Sequence, residues 1–350
     1  MTRIQSSSGD ASNSTETVLV TGGSGFLASH LVRELLKQGY SVRVTVRSEA
    51  VAKKVLQAHA LDSQRLSYIL VPDMVLPGAY DEAVRGVTGV FHLSSPCTFL
   101  AKDNAKDLLI PAVSGTRGIF QSIKQHGPDV KRVVLTSSMA AMVDPKIGMD
   151  RGHLYTEDDW AKTTWDEAAK LSPVQGYLAS KQLAERAAWD FIQNEQPSFD
   201  LVTLCPGVIM GPMIIPTHDL STNISHASVH QLMKGKLDTP GETPFPFYID
   251  VRDAAHFHTR AYEEVVASNQ RYAITSGIYS QQQIVDIMRK HFPSLKERLP
   301  AGRTEESEVA RVDISKATRD LGFAPRGLEE TIVETVGCFL EIEQIGHSTV

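Results

Sequence analysis

Short apolar segments alternate with longer amphipathic ones from Thr17 onwards. The short segments are rich in β-branched residues and predict strands, whereas apolar residues that recur every four positions, as Leu27, Leu31 and Leu35 do, predict helices. The predicted strands are 18–20, 41–46, 67–71, 89–93, 132–136, 201–205 and 271–275, and the longest predicted helices are 26–38, 107–126 and 174–195. Strands and helices that alternate in this way predict βαβ units, and therefore an α/β fold with a doubly wound parallel sheet.

The pattern changes after about residue 206. Prolines at positions 206, 212, 216, 240, 244 and 246 interrupt the alternation. Two further helices, 223–234 and 253–266, are predicted among loops. This part of the chain predicts a smaller, partly helical C-terminal lobe.

Composition narrows the possible functions. The 350 residues carry a formal net charge of -6 without a Lys/Arg-rich run, which gives no reason to expect a nucleic-acid partner. Cys97, Cys205 and Cys338 form no C-x-x-C pair, a pattern typical of free thiols in a reducing compartment. Residues 1–16 are polar and predict a disordered tail rather than a secretory signal, and no apolar stretch reaches the roughly 18–20 residues that span a bilayer. We therefore expect a cytoplasmic protein without a membrane partner.

A glycine-rich turn follows the first predicted strand and leads directly into the first helix. Gly22 permits a tight turn, Gly25 allows the backbone to approach a pyrophosphate, and the small Ala28 lets helix and strand pack closely. The amino end of the helix, at Phe26 and Leu27, presents free N–H groups and the positive end of its dipole to an anion. Glycine-rich turns are common, but this strand–turn–helix context predicts a dinucleotide site.

The end of the second predicted strand indicates which dinucleotide binds. Sites that prefer NAD usually place Asp or Glu there for the ribose 2′-hydroxyl, whereas Arg suits the 2′-phosphate of NADP. This strand ends before Arg47, and Lys53 and Lys54 follow one or two turns into the next helix. The alternative is that all three are solvated surface cations. Their position at the strand end favours NADPH.

Tyr177 and Lys181 lie four residues apart in a strongly helical stretch, on one helix face. A phenol with an ordinary pKa of about 10 is a poor acid–base catalyst at neutral pH, and an adjacent ammonium would lower that pKa. Such pairs are common by chance. However, the strand 132–136 ends just before Ser137 and Ser138, and ligands bind at the carboxyl ends of parallel strands. A hydroxyl there could hold a substrate carbonyl. For one of the two serines, the alternative that it merely starts a turn stays open.

These motifs resemble those of the extended short-chain dehydrogenase/reductases, in particular the dihydroflavonol-reductase-like branch that includes fungal methylglyoxal and ketone reductases. The resemblance runs from about Thr17 to Ile342 and does not indicate the substrate. It rests on residues 21–28, 136–138 and 177–189, together with 70–73, 109–113, 205–207, 211–212, 248–253 and 321–323.

The resemblance implies that Ser138, Tyr177 and Lys181 form a catalytic triad. Tyr177 would protonate the carbonyl oxygen as hydride arrives from the nicotinamide, Lys181 would bond the nicotinamide ribose and tune the tyrosine, and Ser138 would orient the carbonyl. It also implies that Asp73 bonds the adenine and that residues 206–209 lie near the nicotinamide. The predicted cofactor contacts are Gly22, Gly25, Phe26, Leu27, Arg47, Lys54, Asp73, Met74, Tyr177, Lys181, Pro206 and Ile209.

One position departs from the family pattern: Ser114 stands where relatives usually carry Asn, which puts a proton relay through that side chain in doubt. The expected substrate contacts are Phe99, Ser138, Tyr177 and His226. His226 and His230 have a spacing that can bind zinc, but no Glu lies between them and no Cys/His cluster is near, so no metal is expected.

The sequence therefore predicts an NADPH-dependent carbonyl reductase that acts, as a monomer or homodimer, on a small-molecule aldehyde or ketone. A Rossmann-like dinucleotide domain would span 17–206, and a mainly substrate-binding lobe would span 207–350, with about 249–277 returning to the first domain. Alternatives within the fold are a nucleotide-sugar epimerase or dehydratase and a hydroxysteroid dehydrogenase-like enzyme, although Arg47 argues against a tightly bound NAD. A non-catalytic NADP(H)-sensing regulator is a further alternative, and such proteins commonly lose the Tyr-x3-Lys pair that is intact here.

Overall fold

The computed structural model describes residues 16–217, 224–305, 309–322 and 324–348. Its strands are β1 Thr17–Val20, β2 Ser41–Val46, β3 Leu66–Leu70, β4 Gly89–His92, β5 Arg132–Thr136, β6 Leu154–Tyr155, β7 Asp200–Pro206, β8 Val208–Met210, β9 Phe247–Asp250, β10 Arg271–Ile274, β11 Gly277–Ile278 and β12 Arg311–Val312. Its α-helices are α1 Phe26–Lys37, α2 Glu49–Ala58, α3 Ile110–His126, α4 Trp165–Ala168, α5 Pro173–Glu195, α6 Ile224–Leu232, α7 Val251–Glu263, α8 Gln281–His291, α9 Ser315–Leu321 and α10 Leu328–Ser348.

The seven predicted strands form one seven-stranded sheet with the order β10-β7-β5-β4-β1-β2-β3. Every neighbouring pair in it is parallel. The chain runs outward from β1 to β3 and then returns to β4 on the other side of β1, so the order reverses between β1 and β4. In doubly wound sheets, ligands bind at such a reversal, beyond the carboxyl ends of the strands. The predicted Rossmann-like α/β fold is confirmed.

Apolar side chains cover both faces of this sheet. On one face, Leu31 of α1 and Phe257 of α7 belong to a buried cluster that includes Val18 of β1. On the other face, Phe120 of α3 belongs to a second cluster with Val133 of β5. Because helices cover both faces, even the short strands β4 and β10 are buried at every position, which explains why their sequences are largely apolar.

Helix boundaries differ from the predicted ones by a few residues, for local reasons. Helix α5 begins at Pro173 because Ser172 and Gln175 form a reciprocal capping box. The predicted helix 253–266 begins at Val251, since Asp250 caps it, and it ends at Glu263. The predicted helix 107–126 opens with a π-helical turn at Ala105–Leu109 that leads into α3.

Two predictions fall partly outside the described residues. Residue 223, the predicted start of the helix observed as α6, and residues 1–15 of the predicted tail are not described. Glu16, the last residue of that tail, lies against the sheet, where its carbonyl accepts a hydrogen bond of 3.0 Å from the Ser41 amide.

The C-terminal part of the chain builds a third apolar cluster, which includes Met210, Val229 and Phe339. A small sheet of order β11-β9-β8 borders it, and β12 pairs with β6 in a separate two-stranded sheet. Helix α7 packs on α1, and β10 extends the central sheet beside β7. Within the described ranges, no helix combines the length and apolar character needed to cross a membrane.

Candidate active site

A cleft of about 460 Å³ lies beyond the carboxyl ends of the central strands, where the strand order reverses. Apolar side chains form most of its wall. It is lined, among others, by Gly22, Gly25, Phe26, Leu27, Phe99, Ser138, Tyr177, Lys181, Pro206 and Ile209. The tertiary structure thus brings together most of the residues that the sequence singled out.

The glycine turn forms a cradle at the amino end of α1. Gly22 has a φ of +68°, and a Cβ there would lie 3.0 Å from the Ser94 hydroxyl, so both conformation and space require glycine. Gly25 occupies the N-cap position of α1, its amide donates to the Gly22 carbonyl at 2.8 Å, and a Cβ there would lie 3.1 Å from that carbonyl. No side chain caps α1 and no acidic residue lies in its first turn. The free N–H groups therefore suit a phosphate anion.

Two threonines hold this turn in place, and sequence reasoning missed both. The Thr21 hydroxyl accepts hydrogen bonds from the Leu93 and Ser94 amides at 3.0 Å. The Gly22 amide donates to the Thr45 hydroxyl, also at 3.0 Å. These bonds connect the glycine turn, which we also call the phosphate loop, to the segment that follows β4 and to β2. Thr21 directly precedes the first motif glycine, which is the only local signal that could have indicated its role.

The cations predicted to bind the 2′-phosphate lie just beyond β2. Arg47 and Lys54 are exposed, and neither has an ion-pair partner among the described residues. Arg43, on the same strand, differs from them: its guanidinium donates to the carbonyls of Ala83 and Arg85 at 3.0 and 2.6 Å. The charge of Arg47 is thus available to a ligand, whereas Arg43 is bound to the backbone of this chain.

Asp73 and Met74 follow β3 and lie outside the cleft wall. Asp73 is exposed, and one of its carboxylate oxygens accepts a hydrogen bond of 3.0 Å from the Val75 amide. The Met74 side chain packs against Gly115 of α3, where an added Cβ would lie 2.2 Å from the methionine methyl group. The turn is therefore anchored on α3, while the carboxylate of Asp73 faces solvent.

Tyr177 is half-buried in the cleft. Its ring packs edge-on against Phe99, with 5.4 Å between the ring centroids, and its hydroxyl lies 4.0 Å from the Cys97 thiol. Burial, reinforced by Cys97, raises the pKa of Tyr177 well above its ordinary value. The expectation of a pKa below the ordinary phenol value is therefore wrong, because the cost of burying a phenolate raises the pKa. At neutral pH the phenol keeps its proton.

Lys181 lies one turn further along α5 and also lines the cleft. Its side chain is 9% exposed, and its ammonium makes no hydrogen bond within the described part of the chain. Burial lowers the pKa of Lys181, while the nearby carboxylate of Glu185 opposes that shift. A buried ammonium without a hydrogen-bond partner is costly unless a ligand supplies an acceptor.

The two serines after β5 have different environments. The Ser138 hydroxyl accepts a hydrogen bond of 3.1 Å from the Ala140 amide and lines the cleft, so its own hydrogen can still be donated to a ligand. The Ser137 hydroxyl is buried and donates to the Glu185 carboxylate at 2.6 Å. Both serines line the cleft, but Ser137 gives its hydrogen to Glu185, whereas Ser138 caps the following 3-10 turn as an acceptor and keeps its own hydrogen for a ligand.

Glu185 forms a buried ion pair that sequence reasoning did not identify. Its carboxylate accepts hydrogen bonds from Arg271 at 2.8 and 3.1 Å, besides the one from Ser137. Burial opposes ionisation, but the charge and hydrogen bonds of Arg271 hold the pKa of Glu185 below its ordinary value. The only sequence signal was the acidic residue one turn after Lys181, within a stretch of α5 that is rich in alanine.

His226 does not lie in the cleft. It is buried, its Nε2 lies 3.2 Å from the Gly211 carbonyl, and its ring contacts Phe26 and Phe339. It lines a separate cavity of about 160 Å³ on the far side of Phe26, so the expected substrate contact of His226 is not present. Among the residues that the structure describes, no group of His, Cys, Asp and Glu could hold a metal ion.

Comparison with known proteins identifies the family. The model of the NAD dependent epimerase/dehydratase family matches residues 18–275. The chain belongs to this family. Its predicted membership of the extended short-chain dehydrogenase/reductases is thereby confirmed.

Members of this family that are similar over the whole chain include fungal reductases. A Candida albicans protein named as a putative NADPH-dependent methylglyoxal reductase is 35% identical over 347 residues, which cover 93% of this chain and 100% of the relative. An Aspergillus niger ketoreductase is 39% identical over 334 residues, which cover 93% of this chain and 97% of the relative. A crystal structure of the yeast methylglyoxal/isovaleraldehyde reductase complexed with NADPH superposes with a TM-score of 0.86, at 34% identity, over 94% of this chain and 99% of that one.

Proposed function

We propose that this chain reduces an aldehyde or ketone to an alcohol with NADPH. The observation that carries the proposal is the juxtaposition, in one cleft, of a protonated phenol, a buried ammonium without a hydrogen-bond partner and a serine hydroxyl free to donate. Carbonyl reduction needs a proton donor and hydrogen-bond donors aimed at the oxygen that becomes negative. The relatives named as NADPH-dependent reductases support the same reaction.

The residues present fit NADPH. The uncapped amino end of α1 and the close-packed glycine turn suit the pyrophosphate, and the exposed guanidinium of Arg47 suits the 2′-phosphate. We assign Lys54 to the same phosphate, Asp73 and Met74 to the adenine, and Pro206 and Ile209 to the nicotinamide. When bound, NADPH supplies the hydride.

The three polar groups of the cleft then have distinct roles. Tyr177 donates the proton that the carbonyl oxygen needs when its carbon accepts a hydride, so that one hydride and one proton convert C=O to CH–OH. Ser138 donates a hydrogen bond to the same oxygen and orients it. Lys181 donates to the nicotinamide ribose and holds positive charge near the oxygen, which stabilises negative charge as it develops. The raised pKa of Tyr177 suits a donor, because the phenol still carries its proton at neutral pH.

We extend the proposal by assigning dinucleotide binding and substrate binding to different parts of the chain. Residues 17–206 would bind the dinucleotide, and residues 207–350 would mainly bind substrate, with about 249–277 shared through α7 and β10. We further propose that the protein works in the cytosol as a monomer or homodimer. Gel filtration with light scattering, and imaging of a fluorescently labelled chain, test these two points.

The decisive experiment follows NADPH consumption by purified protein against a panel of aldehydes, ketones and diketones, with NADH in parallel. We expect turnover of several carbonyl compounds and a clear preference for NADPH. A strong NADH preference would instead favour an epimerase, dehydratase or hydroxysteroid dehydrogenase-like activity. Tight NADPH binding without turnover of any carbonyl would favour the regulator. Chiral chromatography of the product alcohols then shows which face of the substrate carbonyl the hydride attacks.

A further inference from the structure

A second chamber of about 570 Å³ adjoins the cleft. The two cavities share Met149, Val174, Leu178 and Phe245, which line both of them. All four side chains are apolar, and Val174 and Leu178 flank Tyr177 on α5. A substituent that passed these four side chains from a carbonyl held at Tyr177 would enter the second chamber. We call the four shared residues the neck.

The volumes of the two cavities favour the second chamber as a place for part of the substrate. Pockets that enclose a drug-sized ligand measure roughly 300–1,000 Å³. The first cleft, of about 460 Å³, is lined by the phosphate loop as well as by Tyr177, so it must hold the reacting end of the dinucleotide in addition to substrate. Little room is left there for more than a small carbonyl compound. The second chamber offers more space than the whole of the first.

The second chamber also differs in chemistry from the neck. Tyr279 lines it, is only 4% exposed, and its hydroxyl makes no hydrogen bond within the described part of the chain. Because this hydroxyl opens onto the chamber, a ligand there could take over the hydrogen bond that the phenol otherwise makes with water. The charged side chains in the wall are Arg151, Glu242 and Glu305. Arg151 and Glu242 pair at 3.7 Å and are both more than half exposed, so the wall has no unpaired positive charge that would select an anionic end group.

We propose that the second chamber binds the distal part of the substrate, which is therefore an elongated ketone or aldehyde with an apolar chain next to the carbonyl and a neutral hydrogen-bonding group at its far end. This inference rests on the proposed carbonyl reduction and specifies its substrate class. The neck selects an apolar chain, because a polar group held there would lose its hydrogen bonds to water. The Tyr279 hydroxyl selects the polar end, because a substrate that reaches it can form a hydrogen bond with it inside the chamber.

The test compares kcat/KM, with saturating NADPH, for butan-2-one, octan-2-one, decan-2-one and 10-hydroxydecan-2-one, and for methylglyoxal as a short dicarbonyl. Each methylene that enters the neck should raise kcat/KM about fourfold, from the free energy of burying a CH₂ group. The terminal hydroxyl should add a further gain of about fivefold over decan-2-one through one hydrogen bond. If chain length has no effect while the short compounds are reduced, this inference is overturned and the proposed function stands. If none of the compounds is reduced, both are overturned.

Two variants locate the effect. Val174 is 41% exposed, so Val174→Trp can narrow the neck without entering the core, and it should lower the ratio of kcat/KM for decan-2-one over butan-2-one at least about tenfold. The matched control is Val265→Trp, at an 86% exposed position that lines neither cavity, and it should leave that ratio unchanged.

Tyr279→Phe tests the far end independently and alters no volume beyond one oxygen. It should abolish the preference for 10-hydroxydecan-2-one over decan-2-one and keep the dependence on chain length. A preference for the hydroxylated ketone that survives in Tyr279→Phe, or a chain-length dependence that survives in correctly folded Val174→Trp, would contradict the assignment of the chamber.

Discussion

Lys181 and Glu185 lie one turn apart on α5, and the structure gives them opposite environments. The Glu185 carboxylate accepts hydrogen bonds from Ser137 and Arg271 and is completely buried. The Lys181 ammonium lines the cleft and makes no hydrogen bond within the described ranges. Buried polar groups with partners contribute to the fold, whereas polar groups without partners in a cleft are candidates for function. One helix therefore carries both kinds of residue. We call Glu185 with its partners Ser137 and Arg271 the structural region, and the cleft residues Ser138, Tyr177 and Lys181 the chemical region.

The same contrast occurs at two other places. Ser137 donates its hydrogen to Glu185, while its neighbour Ser138 only accepts a hydrogen bond, from Ala140, and keeps its own hydrogen available. On β2, Arg43 is bonded to backbone carbonyls, while Arg47, just beyond the strand, has no ion-pair partner among the described residues. In each pair the residue types are identical. A polar side chain whose donor hydrogen or charge is engaged within the chain thus holds the fold. One whose donor hydrogen or charge stays available is a residue that we expect to bind or react.

The largest expected effect comes from the chemical region. Tyr177→Phe should lower kcat for carbonyl reduction about a thousandfold, because it removes the proton donor. NADPH affinity and the free energy of unfolding should change little, since the phenol hydroxyl has no structural partner other than the Cys97 thiol. Steady-state kinetics, NADPH fluorescence titration and urea denaturation measure the three quantities. Tyr40→Phe, at a hydroxyl bonded to the surface residue Glu263, is the matched control. More than about a tenth of the activity remaining in Tyr177→Phe would remove this residue from its role.

The structural region should respond in the opposite way. Glu185→Gln leaves the buried guanidinium of Arg271 without its counter-charge, so the free energy of unfolding should fall by about 3 kcal/mol or more. Glu195→Gln is the control on the same helix, because Glu195 pairs with Lys124 at the surface, and its loss should cost less than about 1 kcal/mol. Urea denaturation followed by circular dichroism measures both. Equal losses in the two variants would contradict the distinction between the regions.

Arg47 and Arg43 provide a smaller test within one segment. Arg47→Ala should raise the KM for NADPH about tenfold and leave that for NADH within about twofold, because only NADPH carries the 2′-phosphate. Arg43→Ala should leave both constants unchanged and lower stability, since its bonds are to the backbone. A rise in both constants for Arg47→Ala would show that this residue does not discriminate between the dinucleotides.

The smallest effect concerns pH. The ammonium is the active form of Lys181, and burial lowers its pKa, so kcat/KM should fall on the alkaline side at a pH below the ordinary lysine value of 10.5. Tyr177 should not set this limit, because burial raises its pKa and the phenol stays protonated. In Glu185→Gln, loss of a negative charge near Lys181 should move the limit further down. Profiles of kcat/KM from pH 6 to 11 measure the shift; an alkaline limit at or above 10.5 in the native protein would contradict it.

The fold was predictable in detail from the chain. All seven strands of the central sheet were predicted within one or two residues, because β-branched apolar runs between helical stretches are a local pattern. The glycine turn was equally visible, since Gly22 must adopt a positive φ. Predictions failed where tertiary contacts decide: His226 lies behind Phe26 instead of in the cleft, and the pKa of Tyr177 is raised by burial instead of lowered by Lys181.

The sequence by itself determined the order of the elements and the residue types at the carboxyl edge of the sheet, because periodicity, turn geometry and helix spacing act over a few neighbouring residues. Only the tertiary structure decided which polar groups have partners. Arg271 reaches Glu185 from 86 positions away, and Thr21 holds the loop after β4 from 72 and 73 positions away. Burial and pairing depend on such distant residues, and they determine which serine, which arginine and which charge on α5 remain available to a ligand.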